Sequence, residues 1–177
     1  MMHPFMAAVC VALALMAAWI TGAAAAPNIV FILADDMEPA LVSEMPQVAE
    51  MRRTGTTFTR AYVTTPVCAP SRATILTGRY AHNTGVRSNG TPFGGYQQFL
   101  NRGMHRQTFA VWLRNVGYRT ALIGKYINAY PGNAGTLHIP PGWDEWVTPI
   151  NEIYIHQKYW VSLNENGARV AYRGAPD

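Results

Sequence analysis

The sequence predicts an α/β fold, in which strands and helices alternate along the chain. Two apolar runs with strand character, over residues 28–34 and 118–123, are separated by segments with helical signals. This order is typical of a mostly parallel sheet that is covered by helices. The 177 residues are 49% apolar and only 14% charged, a composition that excludes a disordered chain.

The first 25 residues predict a signal peptide. An apolar run over Met6–Ile20 is followed by small residues, and we expect cleavage after Ala25. Residues 26–177 would then face an extracytoplasmic compartment, whether secreted, periplasmic or lysosomal. The run is too short for a membrane-spanning helix, so no stable membrane partner is expected. Because Lys and Arg are absent before the run, an uncleaved anchor stays open as an alternative.

The net charge of +4 indicates little about partners. It arises from 14 Lys and Arg against 10 Asp and Glu. The basic residues form no run longer than Arg52-Arg53, so we expect no nucleic-acid partner. An anionic small substrate fits the same surplus.

The first predicted element is a strand over Asn28–Ala34. Its continuous apolar and β-branched residues favour burial on both faces of a parallel sheet. Asp35 and Asp36 follow directly, at the carboxyl end of the strand. Ligands of open α/β sheets bind at these ends, so the acidic pair is a candidate site.

Helices are predicted next, with β-rich sequence between them. Pro46–Arg53 and Pro70–Thr77 each begin with Pro and are followed by Gly, which is typical of helix ends. The second helix would leave Cys68 just before its first turn. Thr56–Val63 is rich in β-formers, and the Gly- and Asn-rich stretch His82–Gly103 predicts a loop.

The remaining chain predicts one more helix and one more core strand. Apolar residues recur with helical spacing in Thr108–Asn115, which Gly117 ends. Tyr118–Ile123 is the second apolar strand and leads into Gly124-Lys125. No long helix is expected after Asn128, where Pro, Gly, Asn and Trp dominate.

Cys68 is the single cysteine that remains if the signal, with Cys10, is removed. A lone cysteine is unusual in an oxidising compartment. Residues 68–79, CAPSRATILTGR, resemble the sulfatase signature C-x-P-S-R-x-x-x-L-T-G-R at every fixed position. Gly124–Asn128 and Pro140–Trp146 resemble the N-acetylglucosamine-6-sulfatase branch, which includes the heparan-sulfate 6-O-endosulfatases. The resemblance covers residues 27–177.

The resemblance implies a fold and an activity. The fold would be an alkaline-phosphatase-like sandwich with a mostly parallel central sheet, here truncated, because 26–177 would be the N-terminal part of a catalytic domain whose C-terminal half is absent. The activity would be removal of sulfate from a sulfated sugar of the 6-O-sulfated N-acetylglucosamine type. The implied partners are a sulfated saccharide substrate and a formylglycine-generating enzyme.

The resemblance also implies roles for individual residues. Cys68 would be oxidised to formylglycine, and Cys68, Arg72 and Lys125 would be catalytic. Lys125 and Asn128 would bind the substrate, with Asn128 standing in for a histidine that many sulfatases carry at the position of Ile127. Asp35, Asp36 and Cys68 would hold Ca²⁺ or Mg²⁺, since hard cations prefer oxygen ligands.

The chemistry of sulfate esters explains these residue types. A hydrated aldehyde carries two hydroxyl groups, so one can attack sulfur while deprotonation of the other later expels sulfate and restores the aldehyde. Arg72 lies about one helical turn from Cys68 and can face the same side. Lys125 would hold a sulfate oxygen through a charge-assisted contact.

Two alternatives stay open at this point. Phosphonate and phosphate-ester hydrolases of the same superfamily share the formylglycine motif, and phosphate is isosteric with sulfate. A secreted, non-catalytic fragment could retain the anion site without turnover. A protein tyrosine phosphatase is excluded, because only three residues separate Cys68 from Arg72.

Overall fold

The computed structural model describes residues 26–150 and 160–173. The chain divides into two compact units, Met1–Leu41 and Val42–Asp177. The predicted signal peptide, residues 1–25, lies outside the described residues. Within the described part of the chain, no helix combines the length and apolarity needed to cross a bilayer.

In the first unit, the segment predicted as a buried strand is neither paired nor buried. Residues 26–34 form no strand, and Ile29 and Ile32 are 61% and 77% exposed. The prediction of a core strand over Asn28–Ala34 is therefore wrong for this structure. Apolar sequence favours a strand, but a strand forms only where neighbours take up its backbone hydrogen bonds.

Short helices make up much of the second unit. The α-helices are α1 (Pro46–Thr54), α2 (Cys68–Thr77), α3 (Ala81–Thr84), α4 (Gly95–Asn101) and α5 (Phe109–Asn115). Turns of 3-10 helix span Pro39–Glu44, Met104–Arg106 and Gly132–Ala134.

The predictions for α1, α2 and α5 are confirmed to within a few residues. Cys68, however, is the first residue of α2 rather than the residue before its first turn. The predicted loop over His82–Gly103 contains most of α3 and α4, because Gly and Asn also occupy helix ends. Thr56–Val63 forms no strand, as β-propensity needs a sheet partner to take effect.

The described sheet has four strands in the order β1-β2-β3-β4 and is mixed. The strands are β1 (Ala121–Ile123), β2 (Glu145–Pro149), β3 (Trp160–Glu165) and β4 (Ala168–Arg173). β1 and β2 are parallel, with Leu122 beside Trp146, whereas the two later pairs are antiparallel. The α/β class is confirmed, but among the described strands the parallel pairing is limited to β1 and β2.

The sequence analysis missed β2, β3 and β4. An Asn-Gly pair flanked by alternating residues is a strong hairpin signal, and Asn166 and Gly167 occupy the turn between β3 and β4. Both have positive φ, 51° and 89°, as a type I′ turn requires. This signal could have predicted the hairpin.

An aromatic cluster forms the centre of the core in the second unit. Tyr96, Phe99, Tyr126, Tyr130 and Trp146 are each at most 3% exposed. The rings of Tyr126 and Trp146 lie 5.0 Å apart, close to perpendicular. The Tyr130 hydroxyl accepts hydrogen bonds from Trp146 Nε1 at 3.0 Å and from Asn164 Nδ2 at 2.9 Å, which joins the helical part to the sheet.

Candidate active site

The helix α2 places Cys68 at its N-terminus. Val67 has extended backbone angles and precedes the helix, and Gly78 ends it in the left-handed region with φ of 66°. Ala69 and Ala73 are fully buried, which fixes one face of the helix against the core. Cys68 itself is half-buried, so the side chain is accessible while its backbone is held.

Arg72 joins α2 to the segment that follows β1. Its side chain is buried, and Nη1 donates to the carbonyl oxygens of Lys125 at 2.6 Å and Tyr126 at 3.2 Å. A charged donor shared between two carbonyls is stronger than a neutral hydrogen bond. The contact therefore brings three of the predicted residues, Cys68, Arg72 and Lys125, to one region of the unit.

In the segment 125–128, one half-buried residue is followed by three buried ones. Lys125 is half-buried and comes two residues after the end of β1. Tyr126 and Ile127 are each 2% exposed and belong to the core. Asn128 is also buried, at 5%, and its Oδ1 has no hydrogen-bond partner among the described residues.

A residue that the sequence analysis did not select, Asn89, contacts the start of α2. Its Oδ1 accepts a hydrogen bond from the backbone N–H of Ala69 at 2.9 Å. Helix N-termini need such acceptors, and here the cap comes from 20 residues further along the chain. No local pattern signals a cap at this separation.

Asp35 and Asp36 lie in the first unit, and both are exposed. Asp36 has φ of 52°, a left-handed conformation that aspartate tolerates better than most residues. Two adjacent carboxylates are hard oxygen donors, and this donor set fits Ca²⁺ or Mg²⁺ better than a soft metal.

Burial controls the protonation of the tyrosines behind the segment 125–128. Loss of hydration raises the pKa of Tyr126 well above its ordinary value, and the neighbouring Tyr96 adds to the rise. Burial likewise raises the pKa of Tyr96. These hydroxyls therefore stay neutral at physiological pH.

The unit thus has a cysteine at a helix N-terminus and a lysine shortly after a strand end, two positions at which α/β folds bind anionic ligands. Comparison with known families gives the assignment. The family model described as Sulfatase matches residues 27–164. The chain belongs to the sulfatase family, whose members use formylglycine and a divalent metal, and the alkaline-phosphatase-like fold is confirmed.

Relatives with curated descriptions agree with this family. The chain is 38% identical over 150 residues to the extracellular sulfatase SULF-1 homolog of Drosophila melanogaster, a match that covers 82% of this chain and 13% of that protein. It is 35% identical over 144 residues to the N-acetylglucosamine-6-sulfatase of Homo sapiens, covering 78% of this chain and 26% of the relative.

A solved structure is also similar. It is described as a complex with its substrate, D-glucosamine-2-N,6-O-disulfate, and matches with a TM-score of 0.53 at 29% identity. The match covers 73% of this chain and 23% of that one. The chain therefore spans about a quarter or less of the length of these relatives.

Proposed function

We propose that the protein is a sulfuric ester hydrolase that removes sulfate from sugars of the 6-O-sulfated N-acetylglucosamine type. The observation that carries the proposal is the hydrogen bonding of Arg72 to the carbonyls of Lys125 and Tyr126, which gathers the signature helix and the lysine segment. The names of the relatives support the same reaction class.

In this proposal Cys68 is the nucleophile after oxidation to formylglycine by a formylglycine-generating enzyme. The hydrated aldehyde supplies one hydroxyl to attack sulfur and a second whose deprotonation releases sulfate. The position of Cys68 at the start of α2 supports the role. The positive end of the helix dipole at the start of α2 attracts a tetrahedral anion.

Lys125 and Asn128 would hold the substrate. The ammonium group of Lys125 would bind a sulfate oxygen and offset negative charge in the transition state. Arg72 would stabilise the oxygens of the modified Cys68, and its contacts with two carbonyls would keep Lys125 at a fixed distance from the nucleophile. Asn128 would contribute its unpartnered, buried amide oxygen as an acceptor for a hydroxyl group of the sugar.

A divalent cation, Ca²⁺ or Mg²⁺, would be held by Asp35, Asp36 and the modified Cys68. When bound, the cation would neutralise the ester and lower the barrier to attack at sulfur. The support is the chemistry of the donors: two adjacent exposed carboxylates offer the oxygen ligands that hard cations require.

The proposal extends to the compartment and the substrate class. We infer that residues 26–177 face an extracytoplasmic space, as a signal over residues 1–25 would direct. Relatives described as extracellular sulfatases support this location. The sulfated glucosamine named for the similar structure supports a sulfated saccharide as substrate.

The test is sulfate release by the purified protein from a 6-O-sulfated N-acetylglucosamine substrate, measured beside a matched phosphate ester. We expect the sulfate ester to be cleaved faster. Lys125→Ala should lower kcat/KM on the order of 10²–10³-fold, by analogy with other donors that act in the transition state. Exposed Arg79→Ala is the control for loss of one positive charge. Faster cleavage of the phosphate ester would contradict the proposal.

A further inference from the structure

The start of α2 depends on a contact with a distant loop. In the loop between α3 and α4, residues 85–94, Asn89 accepts a hydrogen bond from the N–H of Ala69, the residue directly after Cys68. Val67, the residue before the helix, makes no side-chain capping bond of its own. The amide next to the nucleophile is therefore held by Asn89.

The loop that carries Asn89 is closed tightly by two glycines. Gly95 N–H donates to the Ser88 carbonyl at 2.9 Å, and Arg87 N–H donates to the Phe93 carbonyl at 2.7 Å. A Cβ on Gly94 would lie 1.8 Å from the backbone oxygen of Ser88, and one on Gly95 would lie 2.6 Å from the backbone oxygen of Asn89. These close approaches leave no room for a side chain at Gly94 or Gly95, and the tight closure restricts the positions that Asn89 can take.

The same loop is tied to the segment 125–128 at its other end. Tyr96 N–H donates to the carbonyl of Asn128 at 2.7 Å. Tyr96 is fully buried, so this bond is shielded from water. The loop and the start of α4 thus connect the Ala69 amide, which follows the proposed nucleophile Cys68, to Asn128, a proposed substrate contact.

We propose that Asn89 is a positioning residue for the nucleophile, acting through the Ala69 amide. This inference rests on the proposed function. Arg72 is a residue of α2 and connects the helix to Lys125, whereas Asn89 belongs to a separate loop and binds the first turn of α2. Together, the two contacts hold the backbone of Cys68 at a fixed distance from the segment 125–128. Misplacement of a reacting group by about 1 Å costs on the order of 10²-fold in rate.

The test compares three variants. Asn89→Ala removes the acceptor, Asn89→Asp keeps an oxygen in the same position, and exposed Asn83→Ala is the matched control. Hydrogen exchange at the Ala69 amide should become faster in N89A, and remain slow in N89D and N83A. In sulfate-ester kinetics, N89A should lower kcat by about 10- to 100-fold with little change in KM, and N89D should retain most of kcat.

Mass spectrometry measures the formylglycine content of each variant, so that differences in kcat are not confused with differences in modification of Cys68. Asn89 lies outside the motif of Cys68, Pro70 and Arg72, so all variants should be modified equally. If N89A fails to fold, Asn89→Gln, which moves the acceptor by one methylene, takes its place. Unchanged exchange at Ala69, or an unchanged kcat despite faster exchange, would overturn the inference. A wild-type protein that releases no sulfate would instead overturn the proposed function, while the exchange data still decide whether Asn89 holds the amide.

Discussion

Arg72 donates through a single nitrogen, Nη1, to the backbone carbonyl of Lys125 at 2.6 Å. The two residues are 53 positions apart in the chain, and the contact connects a helix N-terminal turn to the end of a strand. The acceptor in this bond is the backbone carbonyl of Lys125 and not its side chain. The signature arginine therefore has a structural task in addition to its charge.

Replacement of Arg72 should lower stability as well as activity. Arg72→Ala leaves two carbonyls without their charged donor, which we expect to lower the free energy of unfolding by about 1–3 kcal/mol. Arg72→Lys keeps the charge but not the planar geometry and should recover only part of the loss. Urea unfolding measures the effect. Exposed Arg79→Ala is the control, and an equal loss in that variant would contradict the prediction.

Two substitutions of Cys68 should separate attack from release. Cys68→Ala removes the nucleophile and should abolish turnover. Cys68→Ser offers one hydroxyl and no second one, so a sulfated serine that cannot release sulfate should accumulate. Intact-protein mass spectrometry after incubation with substrate detects the added sulfate. Continued turnover by Cys68→Ser would show that a hydrated aldehyde is not needed.

The loop closure should be sensitive at Gly94 and insensitive at Gly90. A methyl group at Gly94 would collide with the Ser88 carbonyl, whereas a Cβ at Gly90 meets nothing within 4 Å. Overpacking of this kind costs about 1–3 kcal/mol, and Gly94→Ala should lower the thermal midpoint accordingly. Gly90→Ala should leave it nearly unchanged. Equal midpoints for the two variants would contradict the close approach.

Stability should fall on acidification because one histidine, His105, is buried and a second, His138, is half-buried. Burial lowers the pKa of His105, and the charges of Arg106 and His138 lower it further; burial also lowers the pKa of His138. His105 Nε2 accepts from Arg106 Nε at 3.3 Å, which requires the unprotonated nitrogen. The unfolded chain binds protons more readily than the folded one, so the stability is complete above about pH 6.5 and is lost as the pH falls.

Urea unfolding between about pH 5 and pH 7.5 measures this dependence. His105→Gln keeps an acceptor for Arg106 but does not titrate, and should flatten the profile. His82→Gln, at an exposed position, is the control and should leave the slope unchanged. A His105→Gln profile as steep as that of the wild type would assign the acid sensitivity to other groups.

Local signals in the sequence predicted the helix that carries Cys68 and the position of Lys125 after a strand. Pro70 lies in the first turn of α2, which begins two residues earlier at Cys68, Gly78 follows its last residue, and the apolar run before Gly124 marks β1. Information of this kind is contained in a few neighbouring residues. The family motif added the roles, which single residues do not reveal.

Other features depend on partners that are distant in the chain. The apolar residues of 28–34 have the composition of a core strand, yet the pattern does not supply the neighbour that a strand needs. In the sequence, Asn89 does not differ from other loop asparagines, because its contact with Ala69 joins residues 20 positions apart. Thr148 is buried in β2, so a hydrophobic pattern alone could not find that strand.

The segment that follows β1, residues 125–128, combines proposed substrate contacts with residues of the core. Lys125 and Asn128, the proposed substrate contacts, enclose Tyr126 and Ile127, which pack in the aromatic core. A mutational scan of this segment would not separate catalytic from folding defects by position. A substitution that displaces Tyr126 from Trp146 would therefore also displace the neighbouring Lys125.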